Sequence, residues 1–345
     1  MVFGDKISLY FFDQEKKMNP ALSIIIVNYN TKKLLEECLS SIIKNDKRLD
    51  FSAKEITSVD NESIPAEIIV VDNGSSDGSV ETIRNFQIPC LAGRQANPKL
   101  QTNLNPPAGG PKIKLIENRK NLGFAKANNQ AIKKSKGEFV LLLNSDTLVN
   151  EPAISQTLLW LSSHSEAAAA GCKLINPDGS NQGSFGTFPD LWTVFLMLFC
   201  ERFFGSRRVR SSGGLIKQVD WLVGAFMMVR KSALRKVGLL DEKIFMYMEE
   251  VEWFYRLKES DLKAFFYPNA KIIHLGGASS VTGRTDPILN IYRGLVYFYR
   301  KHKSPAQLAI LKIILKLKAV LSLFLGKISV NNYLTKTYGE AIKLV

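Results

Sequence analysis

The chain has 345 residues, with 46 lysines and arginines against 32 aspartates and glutamates, and a formal net charge of +14. This length allows a large buried core, and the positive charge favours anionic partners such as phosphates, nucleic acid or an acidic membrane surface. The four cysteines and three histidines are scattered without metal-ligand spacing. This argues against a disulfide framework and a structural zinc site, and it fits a reducing, cytoplasmic compartment.

Residues 1–20 are interpreted as an N-terminal extension. They lack the basic start, apolar centre and small-residue cleavage site of a signal peptide. The apolar run at 191–200 is too short to span a bilayer, and the run at 306–325 is interrupted by lysines. We therefore expect neither secretion nor a transmembrane helix.

The first half of the chain alternates strands with helices. Short apolar, β-branched runs predict buried strands at 22–27, 67–72, 113–117 and 138–143. Turn signals or helical apolar spacing follow each of these runs. The alternation predicts an α/β fold with a mostly parallel, doubly wound sheet, in which ligands bind outside the carboxyl ends of the strands.

Two stretches, 45–66 and 88–112, interrupt this pattern and are rich in polar residues, glycine and proline. Their composition predicts surface insertions, to which we give no catalytic role. Beyond residue 150 the alternation fades into a Gly-rich loop at 176–186.

Polar side chains follow all four predicted strands. They are Asn28 and Asn30, Asp72, Asn118 and Asn121, and Asn144 and Asp146. Their recurrence at four strand ends that share one sheet edge indicates a binding site. A carboxylate such as Asp146 suits Mg²⁺ or Mn²⁺ held together with substrate phosphates, although a loop aspartate also caps helices. Asp72 is placed to accept a hydrogen bond from a pyrimidine N–H, or to form an Asx turn.

Three carboxylates, those of Glu249, Glu250 and Glu252, stand amid aromatic and apolar residues in the segment 245–256. Close like charges in apolar surroundings raise the pKa of a carboxylate, which suits a general base. The alternative is a solvated acidic helix face paired with nearby lysines and Arg256. The apolar flanks favour the buried, catalytic interpretation.

Two further segments carry candidate site residues. Trp221 and Gly224 lie in an apolar run, where they form either one wall of a sugar-acceptor site or a core strand. His274 ends a predicted strand, where an imidazole joins a metal site or contacts a diphosphate unless it is a structural histidine.

Six motifs, in this order, resemble those of glycosyltransferase family 2, and more closely those of its bacterial rhamnosyltransferase-like branch. They occupy residues 23–30, 70–78, 121–129, 142–147, 224–230 and 248–252. The resemblance covers about residues 21–280 and implies a GT-A fold that transfers a sugar, with inversion, from a nucleotide-diphosphate donor. We expect a catalytic domain over 21–300 and a basic, amphipathic helical tail over 301–345.

The resemblance also implies roles for the candidate residues. The nucleotide-sugar pocket would be lined by Asn28, Asn30, Asp72, Asn121, Gly123, Asn128 and Asn144. Asp146 would be the metal-binding second acid of an Asp-X-Asp motif whose first acid is here Asn144, which removes one charge, and His274 would complete the metal site. Glu250 would be the general base in place of the usual aspartate, with Glu249 as the fallback base.

The implied partners are a nucleotide-diphosphate sugar, with rhamnose as the sugar of this branch, and a glycan or lipid-linked glycan acceptor in cell-surface polysaccharide synthesis. Residues 304–326 combine leucine, isoleucine and phenylalanine with lysines. A basic amphipathic helix of this kind lies on an anionic membrane surface, or else packs on the catalytic domain. The basic, apolar segment 191–210 offers a second contact. We therefore expect a cytoplasmic protein that is peripheral at the inner face of the cell membrane.

Three other functions compete with glycosyl transfer. A nucleotidyltransferase is expected to carry a Gly-rich, basic loop directly after the first strand, and residues 28–31 do not form one. A catalytically silent sugar-binding protein on the same fold stays open because of the substitutions at Asn144 and Glu250. Nucleic-acid binding lacks a recognisable motif or aromatic platform.

Overall fold

The computed structural model describes residues 21–51, 63–87, 113–200, 210–276 and 285–345. The N-terminal extension, the whole of the insertion 88–112 and residues 52–62 of the other insertion lie outside the described residues. The first half contains β1 (Leu22–Asn28), α1 (Lys32–Asn45), β2 (Leu49–Asp50), β3 (Ile64–Asp72), α2 (Ser79–Gln87), β4 (Ile113–Glu117), α3 (Phe124–Lys134) and β5 (Phe139–Asn144). All four predicted strands are present, as β1, β3, β4 and β5.

The central part of the chain adds short strands and further helices. It contains β6 (Thr147–Leu148), α4 (Ala153–Ser163), β7 (Ala167–Ile175), β8 (Phe185–Gly186), α5 (Leu191–Phe195) with a π-helical continuation (Leu196–Cys200), β9 (Arg210–Ser211), β10 (Lys217–Val219), β11 (Trp221–Leu222) and β12 (Phe226–Arg230). The last part contains α6 (Lys231–Val237), α7 (Glu249–Glu259), β13 (Lys263–His274), α8 (Thr285–His302), α9 (Pro305–Ile328) and α10 (Asn332–Ile342).

One large sheet has the order β10-β13-β7-β12-β5-β1-β3-β2, with β4 also paired to β3. β1 lies between β3 and β5 and is parallel to both, so the crossover direction reverses at β1. That reversal is the switch point at which an open α/β sheet binds its ligands. The predicted α/β class is confirmed, and β12 adds an antiparallel strand between β5 and β7.

Apolar side chains cover both faces of the sheet. On one face Ile24, Ile26 and Ile68 pack with Leu35 and Leu39 of α1. On the other face Ile25 and Val71 pack with side chains of α3 and α7. Burial of both faces explains why the strands are continuous apolar runs rather than alternating ones.

The insertion predicted at 45–66 is partly wrong. Leu49 and Asp50 form β2, and residues 64–66 extend β3 at its amino end, so that Leu49 pairs with Ile64. Leu49 and Ala66 are buried in the core, and this burial outweighs the polar composition of their neighbours.

The C-terminal helices form a third apolar cluster, centred on Tyr292, Phe298, Leu311 and Leu315, which also takes in Val194 of α5. The boundary drawn at residue 300 falls inside α8, which ends at His302. None of the helices in the described ranges combines the length and the hydropathy that a membrane crossing needs.

Candidate active site

The carboxyl ends of β1, β3 and β5 meet at one edge of the sheet. Asn28 pairs with Asp72 across β1 and β3, and Val27 pairs with Asn144 across β1 and β5. The Asn28 amide donates to Asp72 Oδ2 at 3.0 Å and to Ser75 Oγ at 3.1 Å. The polar strand ends of the sequence therefore do converge.

Asp72 forms an Asx turn, which is one of the two roles that the sequence predicted for it. Its Oδ1 accepts the backbone N–H groups of Gly74 at 3.2 Å and Ser75 at 2.9 Å. Asn30 has left-handed backbone torsions (φ 52°), and its Oδ1 accepts the backbone N–H of Ser76 at 2.8 Å. Asn28, Asn30 and Asp72 thus hold the turn after β3 against the end of β1, and contact of Asp72 with a base stays a prediction.

The segment before α3 is tied to the same edge through Asn73. The Asn73 amide donates to Asn121 Oδ1 at 2.9 Å, and Asn121 Oδ1 also accepts the Gly123 N–H at 2.9 Å. Asn128 is buried within α3 and donates to Phe124 O at 3.0 Å. Nucleotide contacts of these three predicted residues stay predictions.

Gly123 allows the loop before α7 to reach this edge. Its φ is +86°, and a Cβ added there would lie 2.5 Å from Phe245 O. The neighbouring Phe124 N–H donates to the same carbonyl at 2.8 Å. The residue therefore has to be glycine for reasons internal to the fold.

We expect Gly123→Ala to lower the free energy of unfolding by about 3 kcal/mol or more, because strained torsions and a backbone clash add up. Gly179→Ala is the matched control, since Gly179 has a similar φ of +82° but nothing lies within 4 Å of its added Cβ. The control should lose only about 1–2 kcal/mol, the cost of a left-handed non-glycine residue. Urea unfolding of both variants measures the difference, and equal losses would contradict the packing argument.

Asp146 and His274 come together from distant parts of the chain. β13 ends beside β6, where His274 pairs with Thr147, and the Leu275 N–H donates to Asp146 O at 2.9 Å. His274 Nε2 lies 3.3 Å from Asp146 Oδ1 and 3.4 Å from Asn144 Nδ2. Across the part of the chain that the structure describes, no third His, Cys, Asp or Glu joins this pair. A cation here would therefore take its other ligands from substrate or water.

Glu249 and Glu250 begin α7 directly after a strained turn. Tyr247 and Met248 both have left-handed torsions, with φ of 64° and 77°. Gly294 of α8 packs directly against Met248, where a Cβ on the glycine would come within 2.8 Å. Two consecutive non-glycine residues in this region cost of order 1–3 kcal/mol each and persist only where the surroundings impose them. The turn is thus a feature that the packing of α8 maintains.

The two carboxyl groups are buried but not satisfied. Glu249 is 5% exposed and Glu250 is 7% exposed, and the Oε2 atom of each has no hydrogen-bond partner among the described residues. A buried polar atom without a partner costs free energy, so it is expected where a substrate supplies the partner.

Burial raises the pKa of both carboxyl groups above the usual value. The charge of Glu250 raises the pKa of Glu249 further, whereas Arg210 acts to lower the pKa of Glu250. Burial also raises the pKa of Tyr247, and the charges of Glu249, Glu250 and Asp146 raise it further. Because all three charges act on the same tyrosine, Asp146 lies near the acid pair. Within the acid pair, the charge of Arg210 therefore favours Glu250 over Glu249 as the group that ionises first.

Glu252 is a structural residue. It is fully buried and bonded to Arg256 at 2.9 Å, Lys301 at 2.7 Å and His302 at 3.0 Å. Burial opposes ionisation, yet hydrogen bonds from Arg256 and Lys301 hold the pKa of Glu252 below its usual value. The alternative prediction of a solvated acidic helix face is wrong, because the start of α7 is buried. Of the three carboxylates, only those of Glu249 and Glu250 have an oxygen without a hydrogen-bond partner among the described residues.

Trp221 occupies the core and not an open wall. It is 3% exposed, its Nε1 donates to Thr187 O at 2.9 Å, and the Arg210 guanidinium lies 5.6 Å from the ring centre. This is the core-strand alternative. A Cβ on Gly224 would meet only the Phe124 ring at 3.8 Å, so no crowding within the protein requires glycine there.

Arg210 and Gln182 lie at the candidate site although the sequence did not predict them there. Arg210 lies in β9 and pairs with Gly186, far in sequence from Glu250, whose pKa it acts to lower. Gln182 hydrogen-bonds the His274 ring at 2.6 Å. The Gly-rich loop was noted, but nothing in one sequence singles out its glutamine.

Several known proteins are similar to this chain in sequence. Residues 23–238 match the model of glycosyl transferase family 2. The chain is 25% identical over 291 residues to an N-acetylglucosaminyl-diphospho-decaprenol L-rhamnosyltransferase of Mycobacterium tuberculosis, covering 78% of this chain and 80% of the relative. It is 23% identical over 266 residues to a poly-beta-1,6-N-acetyl-D-glucosamine synthase of Staphylococcus epidermidis, covering 74% of this chain and 53% of that relative.

Two solved structures share the fold. The mannosyltransferase PcManGT from Pyrobaculum calidifontis, in complex with GDP-Man and Mn²⁺, has a TM-score of 0.50 at 16% identity and covers 95% of this chain and 87% of its own. GalNAc-T7 with UDP, GalNAc and Mn²⁺ has a TM-score of 0.52 at 17% identity and covers 84% of this chain and 51% of its own. The chain belongs to glycosyl transferase family 2, and it is a rhamnosyltransferase-like glycosyltransferase of GT-A fold.

Proposed function

We propose that this glycosyltransferase moves a sugar from a nucleotide-diphosphate donor to a hydroxyl group of a glycan or lipid-linked acceptor, with inversion, in cell-surface polysaccharide synthesis. The observation that carries the proposal is the buried acid pair Glu249 and Glu250, set on a strained turn beside the strand-end residue Asp146. The name of the mycobacterial relative supports rhamnose as the sugar and a polyprenyl diphosphate glycan as the acceptor.

Glu250 takes the proton from the attacking hydroxyl. Its unpartnered Oε2 is available to accept that proton, and Arg210 favours the ionised form that a base requires. The oxygen then displaces the nucleoside diphosphate in line at the anomeric carbon, so one step inverts the configuration. No covalent intermediate with the protein is required.

Asp146 and His274 fit a divalent cation of the Mg²⁺ or Mn²⁺ kind. One carboxylate oxygen and one imidazole nitrogen lie 3.3 Å apart, close enough to contact the same ion. Mg²⁺ typically takes only one or two protein carboxylates and completes its shell with substrate phosphates and water. When bound, the ion neutralises charge on the departing diphosphate. Asn144 adds an amide but no charge to this pair.

The nucleotide-sugar pocket is proposed at the edge formed by Asn28, Asn30, Asp72 and the segment 121–123, with Asn144 facing the sugar diphosphate. These residues already hold the strand-end turns in place, so a base, ribose or diphosphate group would meet a preorganised rim. Asn128 backs this rim from within α3.

The test is a donor and acceptor panel. We expect dTDP-rhamnose, among dTDP-, UDP- and GDP-sugars, to support transfer onto a polyprenyl-diphosphate N-acetylglucosamine acceptor with Mg²⁺ or Mn²⁺. Proton NMR of the product should show the anomeric configuration opposite to that of the donor. A product with the donor's configuration would overturn the inverting mechanism.

We further propose that α9 places the enzyme on an anionic membrane surface. The buried stripe of α9, including Leu311, Leu315 and Ala319, packs against the other C-terminal helices. A second apolar stripe faces outward and comprises Ile310, Ile313, Leu317, Val320, Leu321, Phe324, Leu325 and Ile328. It runs about 27 Å along the helix. Lysines at positions 312, 316, 318 and 327 accompany it, and α9 contains no acidic residue.

This arrangement differs from a helix that packs on the catalytic domain and points only lysines to water. An exposed apolar stripe flanked by cations is the pattern of a helix that lies in a membrane interface. Trp192 of α5 is also exposed, and the π-helical segment that continues α5 lies beside α9, where Lys318 Nζ is 5.6 Å from the Phe199 ring. Residues 191–200 of the second predicted membrane contact are therefore neighbours of α9, whereas residues 201–209 of that contact lie outside the described residues.

We expect the protein to sediment with phosphatidylglycerol-containing vesicles at low salt and to be released by high salt. Ile313→Glu/Phe324→Glu should reduce the bound fraction about tenfold or more, because charge replaces buried apolar area. Leu215→Glu is the control, because Leu215 is an exposed apolar residue of a loop outside α9. This variant should bind the vesicles as the wild type does. Recovery of the wild type wholly in the supernatant, or as a dimer held through this stripe, would contradict membrane docking.

A further inference from the structure

The segment between β7 and β8 folds back against the end of β7 and is tightly built. The Asn176 N–H donates to Ser180 O at 2.8 Å, and the Gln182 N–H donates to Leu174 O at 3.0 Å. Ser184 Oγ accepts the Leu174 N–H at 2.9 Å. Gln182 is therefore held at a fixed point beside the end of β7.

The side-chain amide of Gln182 has a defined orientation. Its Nε2 donates to Asn176 Oδ1 at 2.8 Å and to the backbone carbonyl oxygen of His274 at 3.2 Å. A backbone carbonyl oxygen can only accept, so the nitrogen of the amide must be on that side. Gln182 Oε1 consequently faces His274 Nδ1 at 2.6 Å.

The orientation of the amide decides which nitrogen of His274 carries a proton. An amide oxygen can only accept, so Nδ1 must be the donor in this contact. Nε2 is then the nitrogen directed at Asp146 Oδ1 and Asn144 Nδ2, at 3.3 Å and 3.4 Å. The ring is fixed by a contact on the side opposite to the candidate cation, as metal-binding histidines generally are.

We propose that Gln182 is a positioning residue that holds His274 in the Nδ1–H form, with Nε2 presented beside Asp146 to a divalent cation. The inference rests on the cation site of the proposed function. Without the Gln182 oxygen, Nδ1 would lose its acceptor and the ring would be free to turn or to exchange the proton between its nitrogens. Cation binding would then have to order the His274 ring, which weakens the affinity for the cation.

Manganese binding to the purified protein, measured from the free Mn²⁺ signal in electron paramagnetic resonance, tests this role without any turnover. We expect Gln182→Leu to raise the Kd for Mn²⁺ about 10–100-fold, the range found for partners behind a metal ligand. Gln182→Glu keeps an oxygen acceptor towards Nδ1 and should recover most of the affinity. Asn181→Leu, at the exposed neighbouring amide, is the control and should bind as the wild type does.

A double-variant cycle separates positioning from a general effect on the fold. If Gln182 acts only through His274, then Gln182→Leu/His274→Ala binds Mn²⁺ no more weakly than His274→Ala alone. Wild-type affinity in Gln182→Leu, or additive losses in the double variant, would overturn the inference. Unchanged affinity in His274→Ala would instead overturn the cation site of the proposed function.

Nitrogen-15 NMR of the His274 imidazole, recorded on the metal-free wild type, gives an independent reading that needs no folded variant. We expect the proton on Nδ1, and a ring protonated on Nε2 alone would overturn the inference.

Discussion

Glu250→Gln is expected to lower kcat about 10²–10⁴-fold, the usual contribution of a general base. The Kd for nucleoside diphosphate should stay within about threefold of the wild type, because a group that acts only on the acceptor proton does not bind the donor. Steady-state release of nucleoside diphosphate and calorimetric titration with the free nucleotide measure the two quantities. A proportional loss of binding and turnover would indicate a structural role.

Glu249→Gln is the matched control. The pKa of Glu249 is raised well above its usual value by burial and by the charge of Glu250, which favours the neutral form that the glutamine amide resembles. We expect less than about a tenfold loss of kcat, in contrast to Glu250→Gln. The reverse order of the two variants would make Glu249 the base.

The acid pair Glu249 and Glu250 also sets the pH dependence of kcat/KM. A base must be ionised, so kcat/KM falls as the pH drops through the pKa of Glu250, which burial raises above that of an ordinary glutamate. The positive charge of Arg210 lowers this pKa, so Arg210→Met should move the acid limb of the profile to higher pH. An unmoved limb would mean that Arg210 does not serve the base.

Asp146→Ala is expected to reduce turnover about 10³-fold or more, because stabilisation of the leaving group by a bound divalent ion is worth several kcal/mol. Asn144→Ala should keep a measurable part of the activity, since Asn144 brings only an uncharged amide to the site. Mn²⁺ affinity checks the cause: it should fall strongly in Asp146→Ala and only slightly in Asn144→Ala. Equal losses in the two variants would contradict the assignment of Asp146 as the anchoring acid.

The sheet and its ligand edge were predictable from the sequence. Strands buried on both faces have continuous apolar runs, and their polar ends mark the edge where Asn28, Asp72 and Asp146 lie. Local patterns of this kind depend on residues close in sequence. The same is true of the acid pair, whose apolar flanks correctly indicate burial.

The other features of the candidate site could not be predicted, because they depend on contacts between segments that are distant in sequence. Glu252 looks like its two neighbours in sequence, but Lys301 and His302 of α8 join the nearby Arg256 around it and make it a structural residue. Trp221 is turned into the core by the short sheet that β11 forms with β8. Arg210 reaches the site from the short strand β9 and Gln182 from the loop after β7, and no local pattern encodes either placement.

α8 supports the acid pair and so connects the C-terminal helices to the candidate active site. Gly294 packs under Met248, while Lys301 bonds both Asp241 and Glu252 at 2.7 Å. These contacts link the helical region that carries the exposed stripe of α9 to the turn that presents Glu250. α8, the first of the C-terminal helices, thus supports the candidate active site.

Acceptor-dependent release of nucleoside diphosphate by the wild-type protein, across a panel of nucleotide sugars with Mg²⁺ or Mn²⁺, distinguishes an active transferase from a silent sugar-binding protein on the same fold. We predict that at least one donor is consumed, with one nucleoside diphosphate released for each sugar transferred. A protein that binds nucleotide but consumes no donor in the presence of any acceptor would contradict the catalytic role given to Glu250 and Asp146.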